Sequence, residues 1–422
     1  MNIKNTSQNK NFIWNMAGSI SSALISVVLL MIVSRFLTAS DSDIYAYAYS
    51  VGNLLVVIGL FQIRNYQATD IGEKYSFSVY FLTRLLTAFF MIVTTVIFVS
   101  IMNFDAYKSQ IIYFVCLYRL SDAVSDLFQG LFQQREHLDI SGKSLTYRNI
   151  LIFMVFTLII LGTNNLLLAL KTVCLISYVF ILIYDFRISR FFEKIELVGI
   201  LKNGGLLEAY HLIKESFPLF LNGFLIIYIY NQPKYSLDAL GSLGKLQIGS
   251  QTIFNILFMP AFVMNLMMLF FRPMITEMAI DLLHEQLEHF RGLQKKLFIS
   301  LLVLSALVIG GSALVGIPIL ELLYGIDLHE HWITLMIIMV GGAIGSFATA
   351  IDNILTAMRY QKYLLIPYAG AFITSQLITN TLVEKMKIFG ASLSFLLTMI
   401  IWLLMSIFIF QLLKVQKKEP IK

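Results

Sequence analysis

Twelve long apolar stretches fill most of this chain, and they constrain its fold more than any other feature. They run over 12–36, 44–63, 78–102, 110–132, 147–161, 166–184, 216–231, 244–271, 297–319, 332–357, 363–382 and 390–413. A bilayer core about 30 Å thick needs roughly 20 helical residues per crossing. The sequence therefore predicts an all-α polytopic membrane protein with about 12 transmembrane helices. The fifth and seventh stretches are short and must tilt little or borrow flanking residues. With 58% hydrophobic and 13% charged residues, the composition points away from a water-soluble fold.

Six spans, a mixed-charge link and six more spans suggest two six-helix lobes. The expected division is 1–184 for the first lobe, 185–215 for a cytoplasmic link and 216–422 for the second lobe with its basic tail. No connection is long enough for an appended catalytic domain. The formal charge of +6 invites a nucleic-acid reading, but its distribution argues against one. With the N-terminus in the cytoplasm, 22 Lys and Arg fall in cytoplasmic segments and 5 in outer loops (Lys108, Lys234, Lys245, Lys385 and Lys387). That asymmetry follows the positive-inside rule and places both termini in the cytoplasm. The tail lysines Lys414, Lys417, Lys418 and Lys422 then rest on anionic headgroups. Cys116 and Cys174 fall inside spans and read as small packing residues.

The fourth span carries the polar exception. Arg119, Asp122, Asp126, Gln129 and Gln133 are spaced 3, 4, 3 and 4, which puts all five on one helical face. An unpaired charge at mid-membrane costs about 2.5–3.5 kcal/mol, so three cost roughly 8–10. The Leu, Ile, Val and Phe residues of the span return only about 3–6 kcal/mol on the same scale. Lipid exposure loses that comparison, so the face lines a wet cavity or pairs inside the bundle. Two readings stay open: a fixed strut of Arg119 with Asp122 or Asp126, or a cavity wall. In the second, a carboxylate binds H+ or Na+ or resets a substrate-binding arginine. Arg64 closes the second span and Arg84 lies about two turns into the third. Singly they can snorkel to water. With Arg35 and Arg119 they make four guanidiniums on the first four spans, a cationic pocket suited to bidentate capture of phosphate.

Other motifs carry less. Met274–Leu297 reads as an amphipathic helix with Met278, Leu282, Leu287 and Phe290 near one face and Glu277, Asp281, Glu285 and Glu288 largely opposite. The seventh helix is expected to begin after Pro218, and the eighth to carry Pro260 near its middle and Pro273 at its end. His284-Glu285-Gln286-Leu287-Glu288-His289 places its second histidine at +5, which spoils a zinc-ligand face, and His329-Glu330-His331 reads as a solvated loop. No catalytic residue, metal site or nucleotide motif is expected. The chain is read as a non-enzyme without a cofactor, H+ or Na+ coupling apart.

Several segments stand out together: Asn11-Phe12-Ile13-Trp14-Asn15, Ser34-Arg35-Phe36-Leu37, the stretch Arg64-Asn65-Tyr66-Gln67-Ala68-Thr69-Asp70, and Phe128-Gln129-Gly130-Leu131-Phe132-Gln133-Gln134. The second half adds Asn231-Gln232-Pro233-Lys234-Tyr235 with Asp238, Phe258-Met259-Pro260 and Phe271-Arg272-Pro273. On these segments the chain resembles the bacterial polysaccharide flippases, the Wzx-like O-antigen and teichoic-acid exporters of the multidrug/oligosaccharidyl-lipid/polysaccharide superfamily. The resemblance implies a two-lobed bundle in a bacterial plasma membrane. Such a protein moves an undecaprenyl-diphosphate-linked oligosaccharide outward by alternating access, for capsule or other surface polysaccharide. Its partners would be lipid-linked oligosaccharide, membrane lipids and other polysaccharide-assembly proteins, with no nucleic acid. In that picture Arg35, Arg64, Arg84 and Arg119 hold the diphosphate. The alternatives are a multidrug or metabolite antiporter of the same superfamily and, further off, a polysaccharide-modifying membrane enzyme.

Overall fold

A computed structural model describes residues 8–70, 73–196, 199–200 and 204–416. The chain is an all-α polytopic membrane protein, 89% helical and with no strand among the described residues. It forms two compact units, Met1–Phe224 and Leu225–Lys422. Nine of the described helices are long and apolar enough to cross a membrane by length and composition.

The first unit holds α1 (Gln8–Phe36), α2 (Ala39–Leu60), the short α3 (Ile63–Thr69), α4 (Phe77–Met102), α5 (Ala106–Gln134), α6 (Leu138–Thr163) and α7 (Leu166–Phe180). A π turn, Ile181–Phe186, prolongs α7. Local chemistry marks the ends. Thr38, Asp105 and Asn165 cap α2, α5 and α7 by accepting backbone N–H groups with their side-chain oxygens. Asn103 and Asn164 close α4 and α6 in the left-handed conformation that asparagine tolerates. α1 packs along α6 almost backbone to backbone. A Cβ on Gly142 would lie 2.0 Å from the Trp14 carbonyl oxygen, and one on Gly18 would lie 2.9 Å from the Gly142 Cα. Small residues permit this approach where no hydrophobic effect drives helices together. Large apolar side chains such as Phe89, Ile97, Leu158 and Leu175 point outward, as lipid-facing residues must.

α8 (Gly205–Ser242) runs across the division between the units. The second unit continues with α9 (Ser250–Met267), α10 (Arg272–Leu283), α11 (Leu287–Gly311), α12 (Trp332–Ala357) and α13 (Leu365–Gln416). α13 is two helices joined at a kink, where Lys387 has φ 52° and ψ −128°. The kink lies between the two spans expected there. A buried apolar cluster of Met278, Phe290, Leu297, Leu301 and Ile354 ties α10, α11 and α12 together.

Several expectations change. The short fifth and seventh spans do borrow flanking residues, as α6 begins at Leu138 and α8 at Gly205. α8 therefore does not begin after Pro218; the helix passes through it and through Pro233. Pro273 opens α10 and does not close the helix before it, because a first-turn proline sacrifices no intrahelical bond. The single amphipathic helix expected over Met274–Leu297 is interrupted after Leu283, and Glu285 is left-handed. Leu287 is exposed, while Asp281 is buried and bonded to His289 Nδ1 at 2.8 Å. Lys234, expected in an outer loop, lies inside α8. Of the tail lysines, Lys417, Lys418 and Lys422 lie outside the described residues.

Candidate functional site

The charged face of α5 becomes a site because two neighbouring helix turns each place a carboxylate between two arginines. At the first turn, Asp126 Oδ2 is 3.0 Å from Arg84 Nη2 and its Oδ1 is 3.3 Å from Arg64 Nη1. One turn earlier, Asp122 pairs with Arg119 on its own helix and, at 2.5 Å, with Arg148 of α6. Both clusters contain one buried and one accessible guanidinium. The Arg84 and Arg148 side chains are 2% and 3% exposed, whereas Arg64 and Arg119 are 26% and 20% exposed.

The backbone explains how Arg64 arrives. α2 ends at Leu60, and Phe61 and Gln62 adopt left-handed φ values of 44° and 56°. Two such residues in succession turn the chain into α3, and the Phe61 ring stacks on Phe220 with centroids 4.3 Å apart. α3 then lays Arg64 against α5. Arg64 Nη1 donates to Gln129 Oε1 at 2.8 Å, and Nη2 donates to Gln133 Oε1 at 3.1 Å. Gly130 makes room for α3. A Cβ there would sit 2.2 Å from Gln67 Oε1 and 3.5 Å from Arg64 Cγ. Gln67 is fully buried, and neither of its amide atoms has a partner among the described residues.

Arg84 and Arg119 are held differently. Arg84 donates to the Gly59 carbonyl, which also accepts the Thr87 hydroxyl at 2.9 Å. Arg119 lies over the Tyr49 ring, 5.5 Å from its centroid, and a Cβ on Gly52 would come 3.0 Å from Arg119 Cγ. Four guanidiniums thus face two carboxylates. A third carboxylate, Asp185 in the π turn, is fully buried and accepts the Ser125 hydroxyl at 2.7 Å and that of Ser144 at 2.5 Å. Gln129 Nε2 donates to Ser125 Oγ at 3.1 Å, so the Asp185 network joins that of Arg64. The cluster keeps a surplus positive charge whether Asp185 is ionised or protonated.

The structure brings together Arg64, Arg84, Arg119, Asp122, Asp126, Gln129 and Gln133, and it leaves Arg35 outside. Arg35 is exposed in the last turn of α1, and the 22 residues of α2, about 33 Å of helix, separate it from α3 and Arg64. Arg148 supplies the fourth guanidinium. Arg148 falls at the start of the span expected over 147–161 but was not singled out as a site residue. Its signal was available: a span beginning at 147 was too short to cross, so the helix had to start earlier and carry Arg148 inward. Asp185 was missed because the sixth span was ended one residue before it. In the second unit Asp352 of α12 was also missed. It is buried and accepts Trp402 Nε1–H at 3.1 Å and the Ser406 hydroxyl at 2.9 Å. Glu321, Asp327 and His329 bring ligand atoms within 4.8 Å of one another in a half-buried to exposed turn.

Below α3, Asp70 ties the turn toward α4. Its carboxylate accepts the backbone N–H of Lys74 at 2.9 Å and of Tyr75 at 3.1 Å, and the Tyr80 hydroxyl at 2.8 Å. Burial alone would raise its pKa. The three donors outweigh that and hold it below the ordinary carboxylate value.

No protein-family model matches the chain. Over 336 residues it is 25% identical to a capsular polysaccharide biosynthesis protein, CapF, of Staphylococcus aureus, covering 79% of this chain and 81% of the relative. Among solved structures it is similar to the lipid II flippase MurJ in an inward closed conformation, with a TM-score of 0.66 and 12% identity over 95% of this chain and 87% of the other. It is also similar to the Vibrio cholerae MATE transporter VcmN, with a TM-score of 0.62 and 13% identity over 98% and 97%.

Proposed function

We propose that this chain, whose fold is that of the multidrug/oligosaccharidyl-lipid/polysaccharide superfamily transporters, is a lipid-linked oligosaccharide flippase. It moves an undecaprenyl-diphosphate-linked repeat unit across a bacterial plasma membrane by alternating access, for capsule or related surface polysaccharide. Both termini lie in the cytoplasm. The capsule-biosynthesis relative and the flippase fold support this reading.

The observation that carries it is the pair of accessible guanidiniums, Arg64 and Arg119, each backed by a buried arginine and a single carboxylate. A diphosphate presents several anionic oxygens that match planar guanidinium forks. Asp126 and Asp122 hold the forks in place while the site is empty. An arriving diphosphate competes with them for Arg64 and Arg119, and on its release the carboxylates recapture those arginines. The buried Arg84 and Arg148 keep each carboxylate from being left alone in the bundle during the exchange, when an uncompensated charge would be costly. The antiporter alternative calls for a free acidic pocket, whereas here Asp122 and Asp126 are each occupied by two guanidiniums. A coupling ion, H+ or Na+, acts in this scheme by weakening the carboxylates' hold on the accessible arginines.

The test is surface-glycan export in cells and lipid-linked sugar flipping in vesicles. Arg64→Ala and Arg119→Ala each cut export at least about tenfold, since losing a charge-assisted contact of about 1.5–3 kcal/mol corresponds to that range. Asp122→Asn or Asp126→Asn alters the dependence of flipping on clamped pH or Na+. Unchanged export in both arginine variants, with the protein present in the membrane, refutes the diphosphate site. An unaltered ion dependence in both Asn variants leaves the carboxylates as struts alone.

A further inference from the structure

We propose that a cavity at the end of α12 binds the phosphate of an anionic phospholipid with a hydroxyl-bearing headgroup, and that the bound lipid braces α10 against α12. The site lies wholly within the second unit and uses none of the residues assigned to transport.

The cavity measures about 380 Å³. Small-molecule sites span roughly 300–1,000 Å³. α10 contributes Ile275 and Ala279, the last turns of α12 contribute Asn353 and Ala357, and the connection onward to α13 contributes Arg359 and Gln361. Arg359 is the cation of the lining, and no acidic residue lines the cavity among the described residues. The side chains of Asn353, Arg359 and Gln361 have no partner among the described residues. Carboxylates close to them in sequence are engaged elsewhere. Glu277 and Asp281 of α10 lie 4.0 and 2.8 Å from the His289 ring nitrogens, and Asp352 accepts Trp402 and Ser406. One cavity therefore collects a guanidinium and two amides and supplies nothing to neutralise the guanidinium. Planar guanidinium matches phosphate oxygens, and the amides suit headgroup hydroxyls.

The backbone puts Arg359 there against its own preference. The Tyr360 N–H closes on the Leu355 carbonyl at 2.8 Å, and Arg359 between them takes φ 67°. Helices that end this way favour glycine at that position. The depth also fits a lipid. α12 is long and apolar enough to cross a membrane, and the cavity is built at its last turns, where a spanning helix meets the headgroups. Ile280, beside Ala279, and Leu365 and Ile366, shortly after Gln361, are exposed large apolar side chains. The lining segments thus also present surface for acyl chains. A phosphatidylethanolamine ammonium would find no carboxylate in this lining, and a choline headgroup has no hydroxyl to offer the amides.

The full chain, purified in neutral detergent, is titrated with short-chain phosphatidylglycerol, phosphatidylethanolamine and phosphatidylcholine, and with soluble glycerophosphoglycerol, the headgroup alone. Phosphatidylglycerol binds about tenfold or more tighter in Kd than the other two lipids and the soluble headgroup, and it raises the thermal unfolding midpoint. Arg359→Gly abolishes the preference, and the variant stays folded because glycine suits a φ of 67°. Lys362→Gln removes an equal charge outside the lining and keeps the preference. Equal binding of the three lipids, a preference that survives in Arg359→Gly, or an equal loss in Lys362→Gln overturns the proposal. Binding of the soluble headgroup as tight as that of the lipid overturns the membrane as the source of the phosphate.

Discussion

Arg84 and Arg64 share one carboxylate but differ in what removing them does. Arg84 is buried and also satisfies the Gly59 carbonyl, so Arg84→Ala leaves Asp126 with a single, half-buried partner and a buried carbonyl with one donor fewer. Breaking a buried pair costs about 3–5 kcal/mol, whereas a pair with an accessible member is worth about 0–1. Arg84→Ala should therefore lower the thermal unfolding midpoint in detergent markedly, and Arg64→Ala should barely move it while impairing transport. Equal loss of stability in both would make Arg64 a strut. Arg148 and Arg119 repeat the relation around Asp122. The five polar residues of α5 were legible in the sequence because all lie on one helix and follow its period. Which arginine each carboxylate takes was not, since Arg64, Arg84 and Arg148 come from other helices and pairing depends on how those helices pack.

Helix ends and helix contacts decide where these side chains go. The α1–α6 contact depends on Gly142, where an added Cβ meets the rigid Trp14 carbonyl. Gly142→Ala should force the helices apart and cost about 1–3 kcal/mol, read as a fall in the unfolding midpoint. The turn after α3 has a pH dependence of known sign. Asp70 is more acidic folded than unfolded, so it contributes stability above the unfolded carboxylate value and loses it as pH falls through its folded value. Hydrogen exchange over residues 73–80 should accelerate on acidification from pH 6 to pH 3 in the wild type. Asp70→Asn should exchange faster at pH 6 and lose most of that pH response. Span lengths read from hydropathy missed such turns because polar residues such as Lys143 and Glu208 continue helices past the apolar stretch.

At the scale of the whole molecule, the charge bias still predicts one orientation. The expected counts are 22 against 5, and because helix ends take up basic residues on both sides, such as Lys143 and Lys214 on one and Lys108 and Lys234 on the other, the asymmetry survives. A single cysteine introduced at Arg190, with Cys116 and Cys174 replaced, should react with an impermeant thiol reagent only in inverted vesicles. One introduced at Asp327 should react in intact cells, and the reverse pattern would invert the topology. The number of crossings, the two-lobed organisation and the charged face of α5 were determined by the sequence alone, because each follows from local chemistry: apolar length against bilayer thickness, and a period of 3.6 residues. Tertiary structure alone decided that Arg148 and not Arg35 completes the cluster and that each carboxylate serves two arginines. Those outcomes depend on contacts between helices far apart in the chain, such as Arg64 with Asp126, whose energies no local stretch of residues encodes.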